Sequence, residues 1–142
     1  MTGAPSPRQV RGQLARKAGR WAEAQAAILL MATGWRILGF RLKTPAGEID
    51  LLAQRGTILA VVEVKTRGTI EAALAAVSAT QQARLRRAGE MLSAGRADLR
   101  GLSVRLDLIA LAPGRRPRHI PDAWGYSGVG RGATEMGVSI RP

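Results

Sequence analysis

Two carboxylates and a lysine, Asp50, Glu63 and Lys65, have the residue types and the spacing of a site that could hold a divalent cation. Both acids lie in apolar, partly β-branched sequence, which predicts two strands joined by a turn. Acids on neighbouring strands have Cβ atoms roughly 4.5–8 Å apart, and two unit charges about 4 Å apart repel by roughly 4 kcal/mol at an effective dielectric near 20. Mg²⁺, which binds one or two carboxylates and keeps several waters, would offset that repulsion. Lys65 could then hold a water or meet the charge developing on a phosphate.

The turn between the two strands decides how the acids face each other. If Gly56-Thr57 forms a two-residue turn with glycine first, as type II′ requires, Asp50 falls opposite Glu63. A turn at Arg55-Gly56 makes the pair diagonal instead. In both registers the alternation of side chains separates two faces. One face carries Glu48, Asp50, Glu63 and Lys65, and the other carries Ile49, Leu51, Val62 and Val64.

A purely structural interpretation competes with the metal site. In that interpretation Glu63 and Lys65 form a salt bridge on one face of the strand, and Asp50 is a solvated strand residue. The spacing of the three residues alone fits both interpretations.

Length and composition indicate one small domain with a polyanionic partner. The chain has 142 residues, of which 46% are apolar, and its 22 Lys and Arg against 10 Asp and Glu give a net charge of +12. This balance favours a polyanionic partner such as nucleic acid. With three Trp, one Tyr and one Phe the chain offers few stacking platforms, so contact with backbone phosphates is favoured over base reading.

Composition also excludes several kinds of site. The absence of cysteine excludes disulfides and thiolate metal sites and is compatible with a reducing, cytoplasmic compartment. The single histidine, His119, excludes a histidine-rich zinc site. The longest apolar run, Ala26 to Ala32, is far shorter than the roughly 20 residues of a membrane span, so no membrane partner is expected.

Along the chain we expect a basic arm over residues 1–18, one α/β domain over 19–126 and a flexible tail over 127–142. The elements predicted for the domain are a helix from about Gly19 to Thr33, strands at Trp35–Leu42 and in the hairpin, an Ala-rich helix from about Ile70 to before Gly95, and a last clear strand at Ser103–Ala110. The first helix is apolar on two sides and is predicted to be buried on both. The segment His119–Trp124 is predicted to pack in part against the domain.

Three further polar residues allow two interpretations each. Glu23 lies among apolar residues of the first helix. It is either a functional acid or an acid in the first turn, where the helix dipole stabilises it by about 0.3–1 kcal/mol. Gln81 lies in line with the inward stripe of the Ala-rich helix, either as an accessory site residue or as a cap for a helix starting near Ser78. Asp107 is predicted to be structural and to pair with a nearby Arg. Basic residues placed to meet nucleic acid, or only to be solvated, are Arg20, Arg41, Lys43, Arg67 and Arg84.

Five short motifs occur in order along the chain: Gly-Arg-Trp-Ala-Glu at 19–23, Gly-Glu-Ile-Asp at 47–50, Val-Glu-Val-Lys-Thr-Arg at 62–67, Arg-Leu-Asp-Leu-Ile at 105–109 and His-Ile-Pro-Asp-Ala-Trp at 119–124. With these motifs the chain resembles the YraN-like family of predicted endonucleases, within the restriction-endonuclease-like (PD-(D/E)xK) nuclease superfamily. The resemblance covers nearly everything from Gly19 to Trp124. Each motif is weak alone, but five in this order are specific.

The resemblance implies an α/β fold: a central mixed sheet flanked by helices, in the order helix, three strands, helix, strand. It implies a site dependent on Mg²⁺ or Mn²⁺ with Asp50, Glu63 and Lys65 at its core and Glu23 as an outer acid and metal ligand, as in the archaeal Holliday-junction resolvases to which the family looks related. Glu48 and Gln81 would be accessory residues. Gln81 stands where similar proteins tend to carry Lys, and Ile49 stands where the first motif of the superfamily often has Pro.

The function expected from residues and resemblance together is a Mg²⁺-dependent DNA endonuclease, with selectivity for branched DNA as one expectation. The alternative is a basic nucleic-acid-binding protein that keeps the nuclease fold without turnover. Symmetric cutting of a DNA junction would call for a homodimer, but no exposed apolar stripe is evident in the sequence to serve as its interface.

Overall fold

A mixed five-stranded sheet with helices on both faces makes up the computed structural model, which describes residues 3–125. The predicted order of helix, three strands, helix and strand is confirmed. The elements in chain order are α1 (Pro7–Ala32), β1 (Arg36–Thr44), β2 (Gly47–Arg55), β3 (Ile58–Thr66), α2 (Ile70–Ala75), α3 (Ala79–Gly95), a 3₁₀ turn (Ala97–Leu99), β4 (Ser103–Leu111) and β5 (Arg118–Ile120). The tail expected from residue 127 onward lies outside the described residues.

The strands lie side by side in sequence order, β1-β2-β3-β4-β5. Short turns join β1 to β2 and β2 to β3, so these pairs are antiparallel, whereas β3 and β4 are parallel and need the longer crossover that α2 and α3 supply. Arg55 pairs with Ile58 around Gly56, whose φ is 57°. This confirms the two-residue turn at Gly56-Thr57 and excludes the alternative turn at Arg55-Gly56.

Side-chain alternation in β2 breaks at Asp50, which corrects one prediction. Ile49 packs in the core beneath α3 with Leu52, whereas Leu51 packs in the core beneath α1. Ile49 and Leu51 therefore lie on opposite faces, although they are two residues apart. The neighbouring strand β1 is irregular opposite Asp50. There Arg41 takes a φ of 47°, in the left-handed region that non-glycine residues rarely adopt.

Helix α1 begins at Pro7, much earlier than the start predicted near Gly19. Ser6 caps it: its hydroxyl accepts from the Gln9 backbone N–H, and the Gln9 side chain accepts in return from the Ser6 backbone N–H. This reciprocal cap and a proline in the first turn start a helix within the sequence that composition marked as a basic arm. Residues 7–18 are thus helical and continuous with the rest of α1.

Only one side of α1 is buried, where burial on both sides was predicted. Ala26, Ala27 and Leu30 face the sheet. The opposite side exposes a stripe of large apolar residues, contrary to the expectation that α1 has none: Val10, Leu14, Trp21, Ile28 and Met31. No helix within residues 3–125 is long and apolar enough to cross a membrane.

The predicted Ala-rich helix is two helices, because Ser78 caps α3 and ends the continuity with α2. Helix α3 approaches the sheet closely at Gly89. A Cβ atom there would lie 2.6 Å from Cγ2 of Val61 and 2.9 Å from Cγ1 of Val104. A side chain at residue 89 would therefore push α3 off the sheet, which explains a glycine inside a helix where it is otherwise unfavourable.

Asp107 on β4 is fully buried and structural, as predicted, and it pairs with Arg105. The Arg105 Nε donates to Oδ1 over 2.8 Å, His119 Nε2 lies 2.8 Å from Oδ2, and the Asp122 backbone N–H donates to Oδ1 over 3.0 Å. One carboxylate thus holds the segment after β4 against the sheet. Trp124 closes that segment by donating from Nε1 to the Leu74 carbonyl over 3.2 Å, so the predicted packing of residues 119–124 is confirmed.

Candidate functional site

Asp50 and Glu63 lie side by side where the β2–β3 ladder ends. The last paired residues are Leu51 and Val62, and the same register brings Asp50 opposite Glu63. The two carboxyl groups are in hydrogen-bonding contact. Beyond them the Val64 N–H donates to Oδ2 of Asp50 over 3.0 Å. The Asp50 side chain thus takes the place of the β2 carbonyl to which this N–H would donate if the ladder continued, and the bond fixes the carboxylate.

The protonation of the pair reflects its partial burial. Burial raises the pKa of Asp50, while the hydrogen bond from Val64 opposes that shift. Burial and then the charge of Asp50 raise the pKa of Glu63 to about 7, although Lys65 works in the other direction. Two adjacent carboxylates cannot both stay ionised without cost, so the pair holds a proton near neutral pH unless a cation compensates it.

Lys65 Nζ lies 3.2 Å from Oε1 of Glu63. The salt bridge of the structural interpretation is therefore present, but Asp50 is not the solvated residue which that interpretation required. The lysine side chain is 22% exposed, so its ammonium group remains accessible from the cleft beside it.

Glu23 reaches the same cleft from α1. We call the space lined by Glu23, Asp50, Glu63 and Lys65 the acidic cleft; its volume is about 530 Å³. Oε2 of Glu23 accepts from Arg41 Nη1 over 2.9 Å, which gives this half-buried carboxylate a partner. Burial raises the pKa of Glu23, the charge of Arg41 lowers it, and the charge of Asp50 raises it further. Glu23 and Asp50 therefore interact electrostatically across the cleft.

The accessory residues lie on the α3 side of the acid pair. Glu48, Gln81 and Arg84 line a smaller opening together with Asp50 and Glu63. Gln81 is also engaged in capping α3, since its side chain accepts from the Ser78 backbone N–H over 2.9 Å. The capping interpretation of Gln81 is confirmed.

The basic residues predicted to meet nucleic acid surround the site in different ways. Arg41 is engaged with Glu23, and Arg20 lies close enough to influence that acid. Arg67 lines the acidic cleft, and Lys43 is exposed on β1 beside Glu48. The structure therefore brings Asp50, Glu63, Lys65 and Glu23 together and places basic side chains around them.

The donor set fits a hard, mostly hydrated cation. Within residues 3–125 no three His, Asp or Glu side chains gather into a cluster that could hold a metal by themselves. Mg²⁺ commonly binds through one or two carboxylates and fills its remaining positions with water and phosphate oxygens. Asp50 and Glu63, whose mutual repulsion Lys65 offsets only in part, supply those two carboxylates, with Glu23 across the cleft as an outer acid.

Two features near the site are missing from the sequence-based prediction. His119 joins the Asp107 network and meets the edge of Trp35 with ring centroids 5.9 Å apart. Arg115, Arg116 and Arg118 gather around a second cleft. The sequence carried a signal for the second feature, the run Arg-Arg-Pro-Arg at 115–118, but a Gly- and Pro-rich context made it resemble the beginning of a tail.

Without a divalent cation, the free energy of unfolding is expected to fall as pH rises from about 4.5 to about 7. The folded state binds the proton of Glu63 more tightly than the unfolded chain does, because its pKa is raised from 4.5 to about 7. Stability is therefore greatest below the unfolded pKa and declines until the folded pKa is passed, by about 3 kcal/mol in all.

Urea unfolding at pH 5 and pH 8 in EDTA checks this pH dependence. The matched control is Glu63→Gln, in which the decline should be smaller by most of that amount. Any other group that titrates in this range is common to both proteins and cancels in the comparison. An equal decline of the unfolding free energy in both proteins would show that the raised pKa of Glu63 does not cause the pH dependence.

Comparisons with known proteins identify the family. The model of the uncharacterised protein family UPF0102 matches residues 22–111. A UPF0102 protein of Caulobacter vibrioides strain NA1000 is 71% identical over 118 residues, covering 83% of this chain and 94% of its own. A UPF0102 protein of Sinorhizobium fredii is 45% identical over 120 residues, covering 84% and 96%, and one of Parvibaculum lavamentivorans is 47% identical over 113 residues, covering 80% and 85%. The matched region contains Glu23, Asp50, Glu63 and Lys65, and the expected YraN-like membership is confirmed at this level: the chain belongs to the UPF0102 family.

Proposed function

We propose that the protein is a Mg²⁺-dependent DNA endonuclease that hydrolyses phosphodiester bonds, related to the restriction-endonuclease-like nucleases and the archaeal Holliday-junction resolvases. The observation that carries the proposal is the contact between Asp50 and Glu63, two partly buried carboxyl groups with Lys65 Nζ 3.2 Å from one of them. Two adjacent carboxyl groups repel each other once both are ionised, Lys65 offsets that repulsion only in part, and such perturbed groups in a cleft are typical of functional sites.

Each residue of the site has a part in the proposed reaction. Asp50 is oriented by the Val64 N–H and by its contact with Glu63, and it lies in the wall of the cleft. Lys65 can turn its ammonium group from Glu63 to the negative charge that develops on the phosphate. Glu23 faces them from α1.

Asp50 and Glu63, with Glu23 as an outer acid, are the residues that would hold the cation. A bound Mg²⁺ or Mn²⁺ would supply Lewis-acid chemistry at the phosphate and a lowered pKa for water. The chain itself contributes the fixed carboxylates, the lysine and a basic surface that attracts the substrate.

One observation favours a second function, a basic nucleic-acid-binding protein without turnover. Glu23 is already paired with Arg41, Glu63 with Lys65, and Gln81 with the Ser78 cap, so each could have a structural role alone. Incubation of the protein with linear and branched DNA, with Mg²⁺ and with EDTA, decides between the two functions. Binding without any metal-dependent cleavage would leave the second function.

Lys65→Ala is expected to reduce DNA cleavage by about 10²–10³ while changing the melting temperature by only a few degrees, by analogy with the loss of one group that stabilises transition-state charge. The cost in stability should be small because Glu63, with a pKa near 7, can take up a proton when the lysine is removed. Mg²⁺ binding should persist, since both carboxylates remain.

Nicking rate, melting temperature and Mg²⁺ titration on one preparation test the role of Lys65. Arg36→Ala, which removes an exposed positive charge from β1 at the opposite end of the sheet, is the control for charge alone. A structural role would show the reverse order of effects, with a loss of roughly 3–5 kcal/mol from a broken buried pair. A stable Lys65→Ala protein with full activity would remove Lys65 from the mechanism.

A further inference from the structure

A second cleft opens beyond the end of β3, between the chain leaving that strand and the turn from β4 to β5. We call it the arginine cleft because Arg67, Arg115, Arg116 and Arg118 line it. Its floor is apolar, formed by Ile70, Ala110 and Leu111. Its volume is about 280 Å³, roughly nine times the ~30 Å³ that one water occupies in the liquid.

The sheet connects this cleft to the proposed reaction site. Lys65 on β3 pairs with Ala110 on β4, and Ala110 pairs with Arg118 on β5. Paired residues project to the same face, so Lys65 and Arg118 lie on one face, two strands and therefore about 10 Å apart. Ala110 between them is only 6% exposed and packs with Ala73 of α2, so the two clefts meet at Arg67 rather than over Ala110. Arg67 lines both clefts and makes the basic surface continuous.

In the part of the chain that the structure describes, no carboxylate offsets the charge of the arginine cleft. None of its lining residues is acidic. Within residues 3–125 no ion pair joins Arg115, Arg116 or Arg118 to a carboxylate. All three side chains are exposed, while Arg67 donates from Nη1 to the Thr66 carbonyl over 2.7 Å. Several guanidinium groups around one depression, with no acid to neutralise them, create a site for an anion with several oxygens.

We propose that the arginine cleft binds a phosphate group of the nucleic-acid strand that runs through the acidic cleft, with the neighbouring sugar against the apolar floor. This inference rests on the proposed function, since it takes the strand at Asp50 and Glu63 as its starting point. The phosphate would lie on the β5 side of the reacting one, and its binding would fix the direction in which the strand crosses the sheet. An acidic peptide could form ion pairs with the arginines, but it offers no phosphate to the proposed reaction site beyond Arg67.

The test compares two double variants with the same loss of charge. The double variant Arg116→Gln with Arg118→Gln removes two of the four guanidinium groups that line the arginine cleft. Arg36→Gln with Arg100→Gln removes two exposed positive charges at the opposite end of the sheet. Binding of the full chain to a 30-base-pair duplex is measured in EDTA between 50 and 200 mM salt, so that no turnover is needed.

The cleft variant should lose about 0.9 from the slope of log affinity against log salt, because one neutralised phosphate contributes roughly 0.9. Across this fourfold salt range the wild type should therefore lose about 3.5-fold more affinity than the cleft variant. The control variant should keep the wild-type slope. Equal slopes in the two variants, or no change in either, would overturn the proposal, and equal melting temperatures establish that both are folded.

Three DNA ligands and one peptide distinguish the sources of the anion. Equal losses on a 5′-hydroxyl duplex and on a dumbbell duplex closed at both ends support an internal phosphate. A loss confined to a 5′-phosphorylated duplex supports a terminal phosphate in the same cleft. A loss of equal size for poly-glutamate would overturn the proposal in favour of an acidic peptide. Absence of cleavage by the wild type with Mg²⁺ would count against the proposed endonuclease, but not against a cleft-specific loss of DNA binding.

Discussion

Asp50→Asn is expected to abolish Mg²⁺-dependent DNA cleavage and at the same time to stabilise the folded chain. The substitution removes one of the two carboxylates that would hold the cation, and loss of one preorganised charged group costs about 10²–10³ in rate or more. It also removes the charge that raises the pKa of Glu63. Asparagine keeps an oxygen that can accept from the Val64 N–H. At pH 8 in EDTA we therefore expect a gain of roughly 1 kcal/mol in the free energy of unfolding.

These opposite effects separate a site from a structural pair. Cleavage of linear and branched DNA is measured beside urea unfolding, for wild type, Asp50→Asn and the control Asp98→Asn. Asp98 is an exposed acid paired with Arg96 far from the cleft, so its substitution should change neither quantity. A destabilised Asp50→Asn protein would mean that the acid pair supports the fold. A variant that cleaves DNA as fast as the wild type would remove Asp50 from the mechanism.

The hairpin that carries the site could be predicted from local sequence, because one glycine determines its register. Gly56 supplies the positive φ of a two-residue turn, and the pairing of Arg55 with Ile58 then brings Asp50 opposite Glu63. The faces could not all be predicted by alternation. The left-handed φ of Arg41 and the break at Asp50 place Ile49 on the α3 side, and such irregularities depend on the neighbouring strand rather than on the local pattern.

The extent of α1 was available in the sequence but was hidden by composition. The capping box of Ser6 and Gln9 begins the helix, yet the density of arginine after it favoured an unstructured arm. Strand β5 is a different case. Its three residues carry no strand pattern of their own, and they pair with β4 where Asp107 holds His119 and the Asp122 backbone. Because the arginine cleft needs that long-range pairing, the run at 115–118 alone could not predict it.

Asp107→Ala is expected to lower the free energy of unfolding by about 3–5 kcal/mol, since removing one partner from a buried ion pair leaves the others unsatisfied. The carboxylate is fully buried, and its loss would leave three donors without their acceptor: Arg105, His119 and the Asp122 N–H. Urea unfolding at pH 7 measures the effect. Asp98→Ala, which breaks the exposed pair with Arg96, is the matched control and should cost less than about 1 kcal/mol.

The pH dependence of this effect identifies its cause. Burial alone would raise the pKa of Asp107, but the hydrogen bonds from His119 and Arg105 outweigh burial and lower it. A group whose folded pKa is lowered contributes stability above its unfolded pKa, near 3.8, and loses that contribution as pH falls through the folded pKa. The difference between wild type and Asp107→Ala should therefore be full at pH 5 to 7 and should shrink below pH 3.8. A difference in unfolding free energy that stays constant down to pH 2 would mean that Asp107 acts by filling space rather than by its charge. A difference below about 1 kcal/mol at pH 7 would show that Trp124 and its apolar neighbours hold the segment after β4 instead.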